Sequence, residues 1–440
     1  MANKDSRNVL LNILLKIQKS GRFSEKIIEE ELSASRELSA HASGFVRAYA
    51  MGIIRYRVML DALIEKASSV PLNRIKPLIL CILYIGAYQI LVSEKSAYAA
   101  VNESVKLARQ RGLSGLAGFV NGVLRRISAE KSVLLGGLSE REALSMPEQV
   151  YEKLSSVYGE EKTKEISAYF LRHDDIVYAR RNASRISEEE WLRKLEPDGL
   201  FAEQTGIVRD TYKIQGIRGL SSVKSFLDGD FYVMGLSASK CIESVRDILE
   251  NAELTFSALD LCASPGGKTL HALDILNGRG SVLSCDISEA KLLSIRENLT
   301  RAHFENAKTL LHDGRIFENA WEESFGLVIA DVPCSGLGVI GQKPGIKYRY
   351  SEEALSGIIR LQKEISENAA RYVKPGGTLL YSTCTILPEE NEERVKALLD
   401  TFPEFRLVSE ELLLPGNPAE GFYIARLEKK HEGHSFFYPG

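Results

Sequence analysis

From about residue 236 to its end the chain alternates short apolar runs with longer stretches of helical periodicity, a pattern that predicts a parallel sheet covered by helices. Strands are expected over residues 257–261, 281–286, 307–312, 327–331, 378–382, 405–408 and 422–427. Helices are expected over residues 268–276, 289–301, 352–372 and 389–400. The first third reads differently. Val9, Leu10, Ile13, Leu14 and Ile17 recur at three- and four-residue spacing, and five further helical stretches follow over residues 45–57, 60–68, 76–92, 97–110 and 116–127. Pro71, Pro77, Gly112 and Gly115 punctuate them. Residues 131–235 are mixed, with helices expected over 148–158, 160–171 and 188–195, a strand over 176–181, and short strands up to Tyr232. The expectation is a multidomain chain: an all-α domain over residues 1–130, a small α+β linker domain over 131–235, and an α/β Rossmann-like domain over 236–440.

Composition excludes several classes. At 440 residues, 44% hydrophobic and 26% charged, the chain is neither disordered nor a disulfide miniprotein, and its six cysteines contain no C-x-x-C pair to suggest a zinc site. The most apolar run, residues 77–92, is shorter than the ~20 residues needed to span a bilayer. No secretory leader is recognisable at the start, so a cytoplasmic, membrane-free protein is expected. The formal net charge of -3 hides an asymmetry. Residues 1–130 carry 19 Lys and Arg against 11 Asp and Glu, leaving 37 against 48 for the rest. A basic first third, with Lys106, Arg109, Arg111, Arg125 and Arg126 clustered near its end, suits a polyanion. Solvated helix faces account for it equally well.

Four motifs carry chemistry. LDLCASPGGKT, residues 259–269, runs an apolar strand through a glycine turn into a helix, so backbone N–H groups face the crevice. Twenty residues beyond Gly266, Asp286 ends the next apolar strand, where a carboxylate can accept hydrogen bonds from ribose hydroxyls. The turn is neither G-x-G-x-x-G nor a P-loop, which favours a nucleoside without pyrophosphate, such as S-adenosylmethionine. Asp313, in LLHDGR at the end of the third strand, is placed to accept an exocyclic adenine amine, although Asp-Gly also serves as a plain turn. IADVPCSGLGVI, residues 329–340, sets Asp331, Pro333 and Cys334 just past a strand, and LLYSTCTILPEENE, residues 379–392, sets Cys384 at the end of the next.

Two cysteines on one crevice have a chemical use. Carbon-5 of a pyrimidine is too weak a nucleophile to take a methyl group directly. A thiolate adding to carbon-6 pushes electron density onto carbon-5, and it also leaves readily. Asp331 is placed to stabilise charge on the ring. The carbon-5 proton must then be removed, which gives a second sulfur a task. Either cysteine alone would more simply be a small buried core residue.

At these motifs the sequence resembles the RNA cytosine-carbon-5 methyltransferases of the bacterial RsmB (Sun/Fmu) type over nearly its whole length. SAYAAVNESVKLAR and GFVNGVLRRI, residues 96–109 and 118–127, resemble the NusB-like RNA-binding domain of that family; CASPGGKT, DVPCSGLG, STC with PEEN, and GFYIARLEK resemble its methyltransferase domain. The resemblance implies that Cys262, Ala263, Ser264, Pro265, Gly266, Gly267 and Lys268 form the S-adenosylmethionine loop. It implies that Asp286 holds the ribose and Asp313 the adenine, and that Asp331 lies between cofactor and base. Cys384 would be the nucleophile and Cys334 would assist product release; no metal is implied. The implied substrate is 16S ribosomal RNA, with the target cytosine single-stranded or flipped out, and a monomeric enzyme is expected. DNA cytosine methyltransferases use the cysteine after a proline, so the swapped assignment to Cys334 stays open. A non-catalytic RNA-binding assembly factor with a decayed methyltransferase fold is the rival from another class. An exocyclic-amine methyltransferase is disfavoured because DVPC replaces the Asn/Asp-Pro-Pro-Tyr of those enzymes. The chain departs from the family at CASPGG, where CAAPGG is more usual, at VMGLSASK (residues 233–240) and at YARRN (residues 178–182).

Overall fold

The computed structural model describes residues 4–20, 24–35, 37–92, 97–172, 177–217, 219–416 and 419–431. They divide into two compact units, one of Met1–His173 with Ile340–Ser351 and one of Asp174–Val339 with Glu352–Gly440.

The first unit is all-α among the described residues. Its centre is the Pro77–Val92 helix, apolar on every side and buried along most of its length, as a helix surrounded by others must be. Around it pack the amphipathic helices Lys4–Ser20, Ala40–Arg55, Arg57–Ala67, Ala97–Gln110 and Ala117–Ala129, which supply Leu10, Ile13, Val46, Ile53, Leu63, Leu107 and Leu124 to one core. A helix over Ser24–Ala34 also belongs here, which the periodicity did not single out. Ser39 caps the Ala40–Arg55 helix by accepting from the Ala42 N–H at 3.2 Å. Among the described residues no helix is long and apolar enough to cross a membrane.

The compact helical unit runs on past residue 130: helices continue through Lys131–Gly136, Glu140–Ala143, Glu148–Tyr158 and Glu160–Leu171, Leu134 enters the helical core, and the first strand of the mixed region is Val177–Arg181. The unit also takes in Ile340–Ser351, which in the chain lies inside the α/β region. In this segment Lys347 is 2% exposed, and its Nζ donates to the carbonyls of Arg55 at 2.7 Å and Ser145 at 2.5 Å. The Tyr348 hydroxyl donates to the Ile54 carbonyl, and the Arg55 guanidinium to that of Gly341.

The second unit holds two sheets. The small one, all antiparallel in the order β2-β3-β1-β4, consists of β1 (Val177–Arg181), β2 (Phe201–Gln204), β3 (Thr211–Gln215) and β4 (Phe231–Val233). Trp191, from the Glu188–Leu195 helix, packs on it against Tyr212 and Phe231. Within YARRN, Arg180 is fully buried and donates to Tyr232 Oη, the Arg209 carbonyl and Thr211 Oγ1. Asn182 donates to the carbonyls of Gly229 and Ala302. This departure from the family pattern therefore keeps an Arg and an Asn with structural tasks.

The large sheet has the order β10-β11-β9-β8-β5-β6-β7, built from β5 (Ser257–Asp260), β6 (Ser281–Asp286), β7 (Ala307–Leu311), β8 (Phe325–Asp331), β9 (Val373–Thr383), β10 (Phe405–Leu413) and β11 (Phe422–Lys429). The first five are parallel, but β11 runs antiparallel to β9 and β10 antiparallel to β11, so the sheet is mixed, not wholly parallel. The reason lies in the connections: only a short loop separates β10 from β11, too short for the crossover a parallel pair requires. Leu327 and Ile329 pack on one face with the Gly267–Leu276 and Glu289–Ala302 helices, Val328 and Ala330 on the other with Glu352–Tyr372 and Glu392–Thr401. Burial on both faces explains why β8 reads as one apolar run. The chain enters at β5, adds β6 and β7 to one side and then β8 and β9 to the other, which puts the switch point between the carboxyl ends of β5 and β8.

Burial holds the Lys347 ammonium down to about 7, with the Arg55 charge adding to the effect. Between pH 7 and the unfolded value near 10, the unfolded chain binds a proton there that the folded chain does not, so stability rises with pH across this window by at most about 1.4 kcal/mol per unit. Urea denaturation at pH 7 and pH 9 should show the wild type gaining on Lys347→Met as pH rises.

Candidate functional site

The site gathers at the switch point. After β5 the chain makes the turn Cys262–Lys268: the Ala263 N–H donates to the Cys285 carbonyl, and the Gly267–Leu276 helix follows at once. Gly266 has φ 103°, a left-handed conformation that a side chain would strain. Asn298 steadies the turn from outside by donating to the Pro265 carbonyl at 2.9 Å. Ala263 is 5% exposed, and burial pushes the Cys262 thiol up, so this cysteine is an inert wall of the turn.

Beneath the turn Asp260 is fully buried. Its Oδ2 accepts from Thr269 Oγ1 at 2.7 Å, while Oδ1 is buried without a partner among the described residues, and desolvation pushes the carboxyl up to about 7. Asp286, 4% exposed at the end of β6, accepts from the Ser288 N–H at 3.2 Å and lies 3.3 Å from Lys291 Nζ. Asp313 follows β7, the next strand across. It is held by its own turn, accepting from the Arg315 N–H and guanidinium; that hydrogen bonding keeps its carboxyl below the usual range. A turn of backbone amides with an unsatisfied buried carboxylate oxygen beneath it, and a second buried carboxylate at the neighbouring strand end, fits the amino and hydroxyl groups of a nucleoside ligand such as S-adenosylmethionine.

β8 and β9 deliver the rest. Their parallel register places Asp331 beside Ser382, whose hydroxyl donates to Asp331 Oδ1 at 2.7 Å. The other oxygen, Oδ2, lies 2.6 Å from Lys268 Nζ. Expected as part of the cofactor loop, Lys268 thus turns its ammonium to Asp331, and it also lies 5.1 Å from the Phe422 ring. Burial works against its charge, but Asp331 more than offsets this and its pKa is raised. Three residues past Asp331 and two past Ser382, the sulfurs of Cys334 and Cys384 approach to 3.2 Å, both side chains neither fully buried nor exposed. The hydrogen bond to Cys384, followed by burial, raises the Cys334 thiol well above its ordinary value.

Glycines close the loop behind Cys334. The Gly338 N–H donates to the Cys384 carbonyl at 3.1 Å, and the Gly338 carbonyl accepts from the Gly421 N–H at 2.9 Å. The backbones pass so closely that a Cβ on Gly338 would lie 2.2 Å from the Gly421 carbonyl oxygen. This ties GFYIARLEK to DVPCSGLG. The motifs also understate the site. Residues 388–390 form a 3-10 turn before the Glu392–Thr401 helix, and this buries Glu390, expected on that helix, beside the Cys334 loop. Ser382 and Glu390 were not singled out beforehand, and the only signal for either is that it stands inside STC or PEEN.

Comparison with known proteins agrees with this geometry. The sequence model of the family described as 16S rRNA methyltransferase RsmB/F matches residues 248–439, and that of the NusB family matches residues 4–129. The ribosomal RNA small subunit methyltransferase B of Cronobacter sakazakii is 30% identical over 424 residues, covering 92% of this chain and 96% of that protein. The probable ribosomal RNA small subunit methyltransferase B of Bacillus subtilis is 28% identical over 417 residues, covering 92% and 90%. In fold, the crystal structure of PH0851 superposes with a TM-score of 0.79 at 24% identity, over 97% of this chain and 98% of that one. NSun6 from Pyrococcus horikoshii with SFG superposes with a TM-score of 0.55 at 19% identity, over 64% and 98%. The chain therefore belongs to the RsmB family of ribosomal RNA methyltransferases, with a NusB-like N-terminal domain and S-adenosylmethionine as its cofactor.

Proposed function

We propose that this protein methylates carbon-5 of a cytosine in 16S ribosomal RNA through a transient bond between Cys384 and carbon-6 of the ring. The observation that carries the reading is the 3.2 Å approach of the Cys334 and Cys384 sulfurs, at the end of the two strands that also hold Asp331 against Lys268. A purely structural pair of cysteines has no need of a braced carboxylate and ammonium beside it. The same intact set argues against a decayed, non-catalytic fold.

In this reading the turn from Cys262 to Lys268 borders the cofactor, Asp286 accepts the ribose hydroxyls, and Asp313 meets the adenine amine with Arg315 still on its carboxylate. Bound S-adenosylmethionine supplies an electrophilic methyl group on a sulfonium. The Cys384 thiolate adds to carbon-6, and the electron pair of the carbon-5–carbon-6 double bond becomes available for the methyl group. Asp331, steadied by Lys268 and Ser382, accepts from the exocyclic amine of the cytosine and holds the ring in place. Once Cys384 is bonded to carbon-6 it no longer draws on the Cys334 thiol, whose proton passes to water. The Cys334 thiolate then takes the carbon-5 proton, the electron pair of that C–H bond restores the double bond, and Cys384 leaves as thiolate.

The target base must leave any duplex to reach the sulfur, so a single-stranded or extruded cytosine is the substrate. Exposed Arg109, Arg125 and neighbouring basic residues of the helical unit supply phosphate contacts, which makes binding salt-sensitive. We place the enzyme in the cytoplasm, acting as a monomer.

Incubation with labelled cofactor and small-subunit ribosomal RNA, followed by digestion to nucleosides, should yield 5-methylcytosine; a modified purine, or no transfer, overturns the reading. Cys334→Ala should accumulate a covalent protein–RNA adduct stable to denaturing electrophoresis and Cys384→Ala none, whereas the reverse pattern makes Cys334 the nucleophile. Asp286→Ala should weaken cofactor binding by about tenfold to a hundredfold in equilibrium titration, the cost of one or two charge-assisted hydrogen bonds.

A further inference from the structure

Behind the two sulfurs lies a buried network that the reaction as described does not use. Glu390 is fully buried. Its Oε1 accepts from the Ser335 N–H at 2.8 Å and from Gln362 Nε2 at 3.0 Å, and its Oε2 accepts from Ser335 Oγ at 2.5 Å. Gln362 Nε2 also donates to the Pro333 carbonyl at 3.0 Å, and Ser335 Oγ lies 2.7 Å from Thr385 Oγ1. One carboxylate thereby holds the residue on each side of Cys334, directly through Ser335 and through Gln362 to Pro333. It also braces Ser335 against the residue that follows Cys384.

Cys384 has anchors of its own: it follows directly on β9, where Thr383 pairs with Tyr423, and its carbonyl accepts from Gly338. Cys334 sits past the end of β8, off the ladder, so the position of its sulfur depends far more on the Glu390 contacts. We propose that Glu390 is a positioning residue for Cys334, holding that sulfur where it can take the carbon-5 proton; this rests on Cys334 being the group that frees the product.

A carboxylate suits the task better than an amide. Three donors converge on its two oxygens, whereas a glutamine offers one acceptor oxygen and turns an NH2 toward the rest. Burying a charge is costly, and desolvation accordingly raises the Glu390 carboxyl while the Ser335 hydrogen bonds oppose it. A loop that needed only filling would be closed more cheaply by apolar groups.

The test separates formation of the covalent RNA adduct from its resolution, in single-turnover reactions of the full-length protein with cofactor and a small-subunit ribosomal RNA fragment. Glu390→Gln should form adduct and transfer methyl within about twofold of wild type but resolve the adduct about tenfold more slowly, the effect of losing one well-placed hydrogen bond. Gln362→Met should slow resolution about threefold in the same selective way, and it decides the matter alone if Glu390→Gln does not fold. Unchanged resolution, or formation and resolution slowed together as a merely structural residue would cause, overturns the proposal. Cys334→Ala is the control. If it accumulates no adduct, the role of Cys334 itself fails; if it does and neither variant delays resolution, only the part given to Glu390 falls.

Discussion

The parallel pairing of β8 with β9 is the constraint on which the site depends. Register aligns Asp331 with Ser382, and from there each chain needs only two or three residues to bring its cysteine to the other. A slip of one residue would turn Asp331 to the opposite face and separate it from Ser382. Side-chain size on the two faces opposes that slip: Val328 and Ala330 fill one core and the larger Leu327 and Ile329 the other, so exchanging them would overpack one face and leave cavities on the other. Packing on the two faces of the sheet thus helps set a sulfur–sulfur distance.

Around this pairing the protein concentrates buried charge to an extent that packing alone would not favour. Asp260, Asp286, Lys268 and Glu390 are each less than a tenth exposed, and all lie beside one end of the sheet. Desolvation penalises every one of them, so each is retained against a cost of several kcal/mol unless partners offset it. The partners differ in kind. Lys268 has a counter-ion in Asp331, Glu390 has three hydrogen-bond donors, and Asp260 keeps one oxygen without a partner among the described residues. An unsatisfied buried acceptor next to a backbone turn is what a ligand-completed site looks like before the ligand is counted.

Much of this was legible in the linear chain. The alternation of apolar runs and helical stretches located all seven strands of the large sheet to within a few residues at most ends, most plainly at β8, which is buried on both faces and has no polar interruption before Asp331, and least plainly over the second half of the exposed β10. The apolar run that forms Pro77–Val92 was recognisable as a buried helix from its length alone. The strand direction of β10 and β11 was not legible, since periodicity is blind to polarity of pairing. Nor was the extent of the helical unit, because Ile340–Ser351 joins it through Lys347 and Tyr348, which in sequence look like any loop after a glycine-rich motif.

Local chemistry in the sequence determined which residue types stand at the strand ends: the glycine turn, the carboxylates Asp286, Asp313 and Asp331, and the cysteines 334 and 384. Such information is encoded within a dozen residues, where spacing and turn chemistry suffice. Which atoms meet was decided only by the tertiary structure. Lys268, within the turn, points its ammonium at Asp331, and Glu390 lies under the Cys334 loop. These contacts join positions up to about sixty residues apart, and their partners are chosen by burial and strand order, which no local pattern contains.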